Sequence, residues 1–151
     1  MTPGRLQNDP AADTWLAFGL DLHLAATADG GRRGAIAPGT EYRAATYRPD
    51  WRLPGMKLPG LVGGPVLALG RTNVEPGEPV RAVIAPLAPW SLHIWAELGP
   101  GDRIEMHEGH RICGQAKVVW RGVTEQPVPA ADIEGFDAWC KSAEPPSNAA
   151  R

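Results

Sequence analysis

Apolar and polar residues alternate in short runs along most of this chain, and only near its end does the spacing become helical. Phe18, Leu20, Leu22 and Leu24 are separated by Gly19, Asp21 and His23, the period of two expected of a strand with one buried face. The run ends at Asp29-Gly30-Gly31, and Glu41 to Arg48 reads as a second strand with Tyr42 and Tyr47 on opposite faces. Arg48 to Pro65 has little periodicity and many prolines and glycines, so it reads as an irregular crossover. Val66 to Arg71 is a short strand, Glu75-Pro76-Gly77-Glu78 a type II turn, and Val80 to Leu87 the strand that follows. Ser91 to Leu98 alternates too, with Leu92, Ile94, Ala96 and Leu98 against His93, Trp95 and Glu97, and is read as a strand. Asp102 to Trp120 predicts a hairpin: Ile104 and Met106 alternate with charged neighbours, Glu108-Gly109 makes the turn, and Ile112, Gly114, Ala116 and Val118 form the returning inner face. Ile133, Phe136 and Trp139 then recur every third residue, predicting a short helix over Ala130 to Lys141.

The predicted core collects Leu22, Leu24, Ile84, Ile94, Ile104, Met106, Ile112 and Val118. At 151 residues one domain of this kind has enough core to stand without disulfides. The division expected is a flexible tail over 1–13, a β-domain over 14–125, and a proline-containing tail with the short helix over 126–151, its last residues from Glu144 onward disordered. Cys113 and Cys140 match no Cys-x-x-Cys spacing and read as free thiols in a reducing compartment. No secretory signal opens the sequence and no apolar run approaches the roughly 18 residues of a membrane span, so a soluble cytoplasmic protein with no membrane partner is expected. A formal net charge of −2 means that any polyanion-binding surface must be a local patch.

The order of certain short motifs resembles the C-terminal β-barrel domain, the third domain, of translation elongation factor Tu. Asp29-Gly30-Gly31-Arg32, then Tyr42-Arg43 and Tyr47, are similar to the opening of that barrel, although Ala44-Ala45-Thr46 stands where the family has Pro-Gln-Phe. The Pro76-Gly77-Glu78 turn with its following apolar strand, Pro89, and Arg103 to Gly114 with Glu108-Gly109-His110-Arg111 complete the likeness over roughly Leu20 to Val119. The resemblance implies an all-β fold, a six- or seven-stranded antiparallel barrel. Relative to the family's shorter route, part of the segment through Gly99-Pro100-Gly101 is an elaboration.

The elongation factor is a GTPase, but no Gly-x-x-x-x-Gly-Lys-Ser/Thr loop is present here, and neither nucleotide binding nor any other cofactor is expected. Ser91 and Ser142 lack a nucleophile context, and His110 and Cys113, three apart on a strand, point to opposite faces, so the chain is expected not to be an enzyme. His107, His110 and Cys113, with His93 from a neighbouring strand, are of zinc-ligand type, but His107 and His110 straddle the turn and Cys113 points away, so no metal site is expected.

In the family this barrel helps hold the T-stem backbone of aminoacyl-tRNA. By resemblance the matching positions are Arg32-Arg33 and Glu108-Gly109, with Arg43 and Arg111 extending a basic patch, whereas Ala45 and Ala88 replace an amide and a cation. Six tryptophans are many for a chain with two Phe and two Tyr, and Trp51, Trp90 and Trp95 are assigned to an exposed partner surface, while Trp120 and Trp139 are read as packing together under the tail helix. The expected function is a non-catalytic module that uses the barrel to engage a protein partner in or around the translation apparatus; the alternative is an RNA-binding module that keeps part of the T-stem-facing surface.

Overall fold

The computed structural model describes residues 14–36, 47–71, 73–142 and the backbone of 149–150. Of the predicted strand over Glu41 to Arg48, residues 41–46, including Tyr42, Arg43 and Ala45, lie outside the described residues, as does the tail over 1–13, while Tyr47 and Arg48 are described and belong to no strand. Eight strands form one antiparallel sheet: β1 (Thr14–Leu24), β2 (Asp50–Arg52), β3 (Val62–Gly63), β4 (Val66–Leu69), β5 (Pro79–Ile84), β6 (Arg103–Glu108), β7 (Arg111–Glu125) and β8 (Ala149–Ala150). Their order is β3-β2-β6-β7-β1-β5-β4, with β8 paired to β7, and the path is open, β3 at one end and β4 at the other. Two helices accompany it, α1 (Leu92–Trp95), continuing a 3-10 turn at Pro89–Ser91, and α2 (Ala130–Cys140). The coarse expectation of an antiparallel all-β chain with a short C-terminal helix agrees with this arrangement.

The central strand shows why the alternation was readable. In β1 the even residues Phe18, Leu20, Leu22 and Leu24 enter one cluster, while Trp15 and Ala17 enter another on the opposite face. Every strand from β1 to β7 contributes to the first cluster, together with Trp95 and Leu98. Each aliphatic side chain fully buried there stabilises the fold by roughly 1.5–3 kcal/mol. The second cluster lies under α2, where Trp120 meets Phe136 at 5.8 Å and the edge of Trp139 at 5.4 Å, as the helical spacing of Phe136 and Trp139 requires. Thr124 Oγ1 donates to Asp132 Oδ2 at 2.7 Å and pins the first turn of α2 to the end of β7.

Two bulges in β7 decide which residues face which cluster. Gly19 pairs with Trp120 but Leu20 with Val118, so Val119 is an extra residue, and the register on its far side is displaced by one. That displacement puts the Trp120 indole on the α2 side, against Gly19. A Cβ on Gly19 would lie 2.1 Å from Trp120 Nε1, so only glycine fits opposite. Met106 pairs with Gly114 and His107 with Ile112, which makes Cys113 the second extra residue. This corrects the expected inner face. Cys113 is buried and Ile112 is turned out, 41% exposed, because the bulge reverses the alternation at the start of the strand.

Other expectations are also corrected. The crossover after Arg48 contains β2 and β3, of three and two residues, which pair with each other and, through β2, with β6. Ser91 to Leu98 is not a strand: Pro89 opens a 3-10 turn, Ser91 Oγ donates to Ala88 O at 2.8 Å, and α1 follows, so the buried set is Ser91, Trp95 and Leu98 at i, i+4 and i+7. Of the stretch from Glu144 onward, expected to be disordered, the backbone of Ala149 and Ala150 is described and pairs beside Gly122 and Arg121, on the part of β7 beyond its pairing with β6. Turns at Gly77 and Gly109 use positive φ, 91° and 61°. At the β6–β7 hairpin the two loop residues are Gly109 and His110, one step later than Glu108-Gly109, and a positive φ at the first of them suits a type II′ turn.

Candidate functional site

Two corners of the molecule concentrate the residues singled out in the sequence. The first is the β6–β7 turn. Because β6 ends at Glu108 and the chain after the 3-10 turn Thr27–Asp29 passes the start of β7, Arg32 and Glu108 meet, with Arg32 Nε 3.3 Å from Glu108 Oε2. The Tyr47 hydroxyl donates a short hydrogen bond to the same carboxylate oxygen, and the Arg32 guanidinium lies over the Tyr47 ring, 5.0 Å from its centroid. Arg111 Nη1 donates to Gly31 O at 3.4 Å, closing the loop onto β7. Burial, then the hydrogen bond and charge of Glu108, push the Tyr47 phenol far above its ordinary range, with Arg32 opposing, so the hydroxyl stays protonated and donating. Burial and Glu108 likewise push the Cys113 thiol up, which suits an inert bulge residue rather than a nucleophile.

Arg32, Glu108, Gly109 and Arg111 therefore gather at one corner, and Arg33 stands exposed beside them. Arg43 lies outside the described residues. The charge on Arg32 is already opposed by Glu108, although its Nη1 is buried without a hydrogen-bond partner. Tyr47 was noted in the sequence only as a motif position, and nothing in the local pattern signals its role in joining Arg32 to Glu108.

Trp51 and Trp95 are corrections. Both are completely buried: Trp51, opposite Met106, faces the main cluster and donates its Nε1–H to Gly64 O at 2.9 Å, and Trp95 stacks at 5.5 Å against Phe18. A strand reading of Ser91 to Leu98 had turned Trp95 outward, whereas the helix turns it in. Trp90 is the exception, 65% exposed, with Leu87 also exposed three residues earlier.

The second corner is built by this helical segment. Leu53 and Pro54, from the chain after β2, face His93, Ile94, Glu97, Leu98 and Asp102 across a cavity of about 310 Å3. Asp102 is fixed there by accepting the Gly99 N–H at 2.9 Å on Oδ2. Sequence reasoning missed this site because the signal, Trp90, His93, Ile94 and Glu97 at i, i+3, i+4 and i+7, was overridden by the apparent alternation.

The histidines do not assemble with Cys113. His107 is buried beside Glu105, its Nε2 3.2 Å from Oε1, rather than turned to solvent, and Arg52 Nε donates to the same oxygen at 2.8 Å. That hydrogen bond from Arg52, reinforced by His107, holds the Glu105 carboxyl below the usual carboxylate range despite partial burial. No group of three His, Cys, Asp or Glu side chains fit to hold a metal occurs among the described residues. No protein-family model matches this chain, and no curated protein matches it.

Proposed function

We propose that this protein is a non-catalytic binding module in which the open sheet closes as a small β-barrel like the C-terminal domain of elongation factor Tu, and that it docks a protein partner in or around the translation apparatus. Closure is supported by β3 and β4 being two halves of one segment, Val62 to Leu69, whose intervening residues bond to both neighbours. Gly64 N–H donates to Pro49 O at 3.1 Å and Val66 N–H to Tyr47 O at 2.8 Å, while on the other side Leu87 N–H donates to Gly63 O at 3.0 Å. Two buried free cysteines suit a reducing cytoplasmic setting, and no helix among the described residues is long and apolar enough to cross a membrane.

The observation that carries the protein-binding reading is Trp90, 65% exposed on a braced pedestal. Pro86 and Pro89 stiffen the approach, Trp15 Nε1 donates to Pro86 O at 2.9 Å, and Ser91 binds back to Ala88 O through its hydroxyl at 2.8 Å. An indole held rigidly in water gives contact area to a partner at little cost in conformational entropy. Affinity capture from the native cell tests it: wild type retains a specific protein and Trp90→Ala loses it. Equal capture by both proteins overturns the reading.

A second reading, RNA binding, is favoured by one feature, the exposed Arg33 and Arg111 beside the unpartnered Nη1 of Arg32. If these three arginines grip phosphates, affinity for a duplex T-stem mimic falls about 40-fold between ~50 and ~200 mM salt, from a slope near −0.9 per contact. We expect weak binding, because Glu108 opposes Arg32 from within. Tight binding at physiological salt that follows this slope would put RNA first.

A further inference from the structure

The cavity beside α1 is lined by apolar side chains and two carboxylates. Its apolar lining is Leu53, Pro54, Ile94 and Leu98, and its carboxylates are Glu97 and Asp102. Neither carboxylate has an ion-pair partner among the described residues. Arg121, on β7, is engaged with backbone carbonyls of this segment: its Nη1 donates to Ala96 O at 2.7 Å and Leu98 O at 3.1 Å, at the end of the turn that follows α1. A volume of about 310 Å3 lies at the bottom of the range of about 300–1,000 Å3 typical of ligand sites, too small for a dinucleotide and suited to one long side chain. Apolar walls beside two negative charges match a side chain that is apolar along its stem and cationic at its tip, which describes arginine and lysine.

Trp90 lies three residues before His93 and four before Ile94, both of which line the cavity, so the exposed indole and the cavity share one side of the helical segment. We infer that the Trp90 pedestal and this cavity form a single docking surface for a short peptide segment of a protein partner, with an apolar residue against Trp90 and an arginine or lysine in the cavity against Glu97 and Asp102. The inference rests on the protein-binding reading above and adds the chemistry of the partner.

Titration of the 15N-labelled full chain with acetyl-Leu-Arg-Leu-amide, followed by amide shifts, tests it. The amides of Ile94, Glu97, Leu98 and Asp102 are expected to move together, and the counterpart peptide with glutamate in place of arginine to move none of them. Glu97→Gln, a surface change, is expected to weaken the arginine peptide three- to fivefold, about the upper reach of a solvent-exposed ion pair. Asp102→Asn, which keeps an acceptor for the Gly99 amide, is expected to do the same. Equal binding of the glutamate peptide, shifts confined to another surface, or no effect of either substitution overturns the inference. Binding of agmatine as tight as that of the peptide also overturns it, in favour of a small-cation site. If the cavity proves silent while Trp90→Ala still loses the captured partner, the cavity assignment alone falls. A partner captured equally by wild type and Trp90→Ala removes the reading beneath it.

Discussion

At the β6–β7 corner, Arg32, Tyr47 and Glu108 answer one another, whereas at the α1 corner a tryptophan stands largely in solvent and two carboxylates have no ion-pair partner among the described residues. The first corner carries the motifs that resemble an RNA-facing surface, and the second lies largely in residues outside those motifs. A Gly-Gly-Arg loop and a Glu-Gly turn can persist because together they brace a hairpin, since a half-buried hydroxyl and a guanidinium sharing one carboxylate fix three chain segments at once. Groups that bind something else are better sought where the chain leaves charge and apolar area unanswered.

The comparison breaks most visibly at two tryptophans five residues apart. Trp95→Ala, which empties a fully buried site against Phe18, is expected to cost about 3–5 kcal/mol, while Trp90→Ala changes stability by no more than about 0.5 kcal/mol. Urea denaturation of the two variants checks this, and equal losses would mean that Trp90 is structural. Tyr47→Phe is the next largest. Removing a half-buried donor to Glu108 is expected to cost about 1 kcal/mol, whereas Glu97→Gln at the other corner leaves the urea midpoint where it was.

A smaller effect separates carboxylates by pH. The folded-state pKa of Glu105 is depressed, so its contribution is present above the ordinary glutamate value of about 4.3 and is lost as pH falls through the folded value. Glu105→Gln is therefore expected to lie below wild type in stability at neutral pH and to converge with it in acid. Parallel acid limbs for wild type and Glu105→Gln would show that the Arg52 contact contributes nothing. Least disturbing to the fold is thiol labelling. Burial, then Asp137, pushes Cys140 up to about 12, and Cys113 is raised in the same direction, so neither should react with a disulfide reagent at pH 8 faster than the chain unfolds. Rapid labelling of one thiol in the native protein would identify an opening at its corner.

Legibility followed length and regularity. β1 could be read from Phe18 to Leu24, where the even residues enter one core, but not over Thr14 to Ala17, where Trp15 and Ala17 enter the other; α2 could be read because Phe136 and Trp139 keep helical spacing against Trp120. The three and two residues of β2 and β3 are too few for any period to register. Ser91 to Leu98 satisfied both templates over eight residues, and Pro89, a helix-opening signal, carried the information that the alternation concealed. Ile112 was misplaced because a bulge is a property of two strands, invisible in either alone. At the site, Arg32 and Glu108 were found through a resemblance of motif order, while the cavity was hidden by the misread helix.

The extra residue at Val119 makes β7 a strand with a change of parity built into it. Residues up to Val118 send their even side chains to the main cluster, and from Trp120 onward the even side chains go to the helix side, so one uninterrupted strand addresses two separate interiors. For anyone shortening or recombining this chain, where a residue is removed therefore matters more than how exposed it is. Val119 has no partner on β1, so deleting it restores plain alternation, with Trp120 following Val118 directly and still opposite Gly19 on the α2 side. Deleting Val123, equally at the surface but paired with Leu16, would instead exchange inside for outside along the rest of β7.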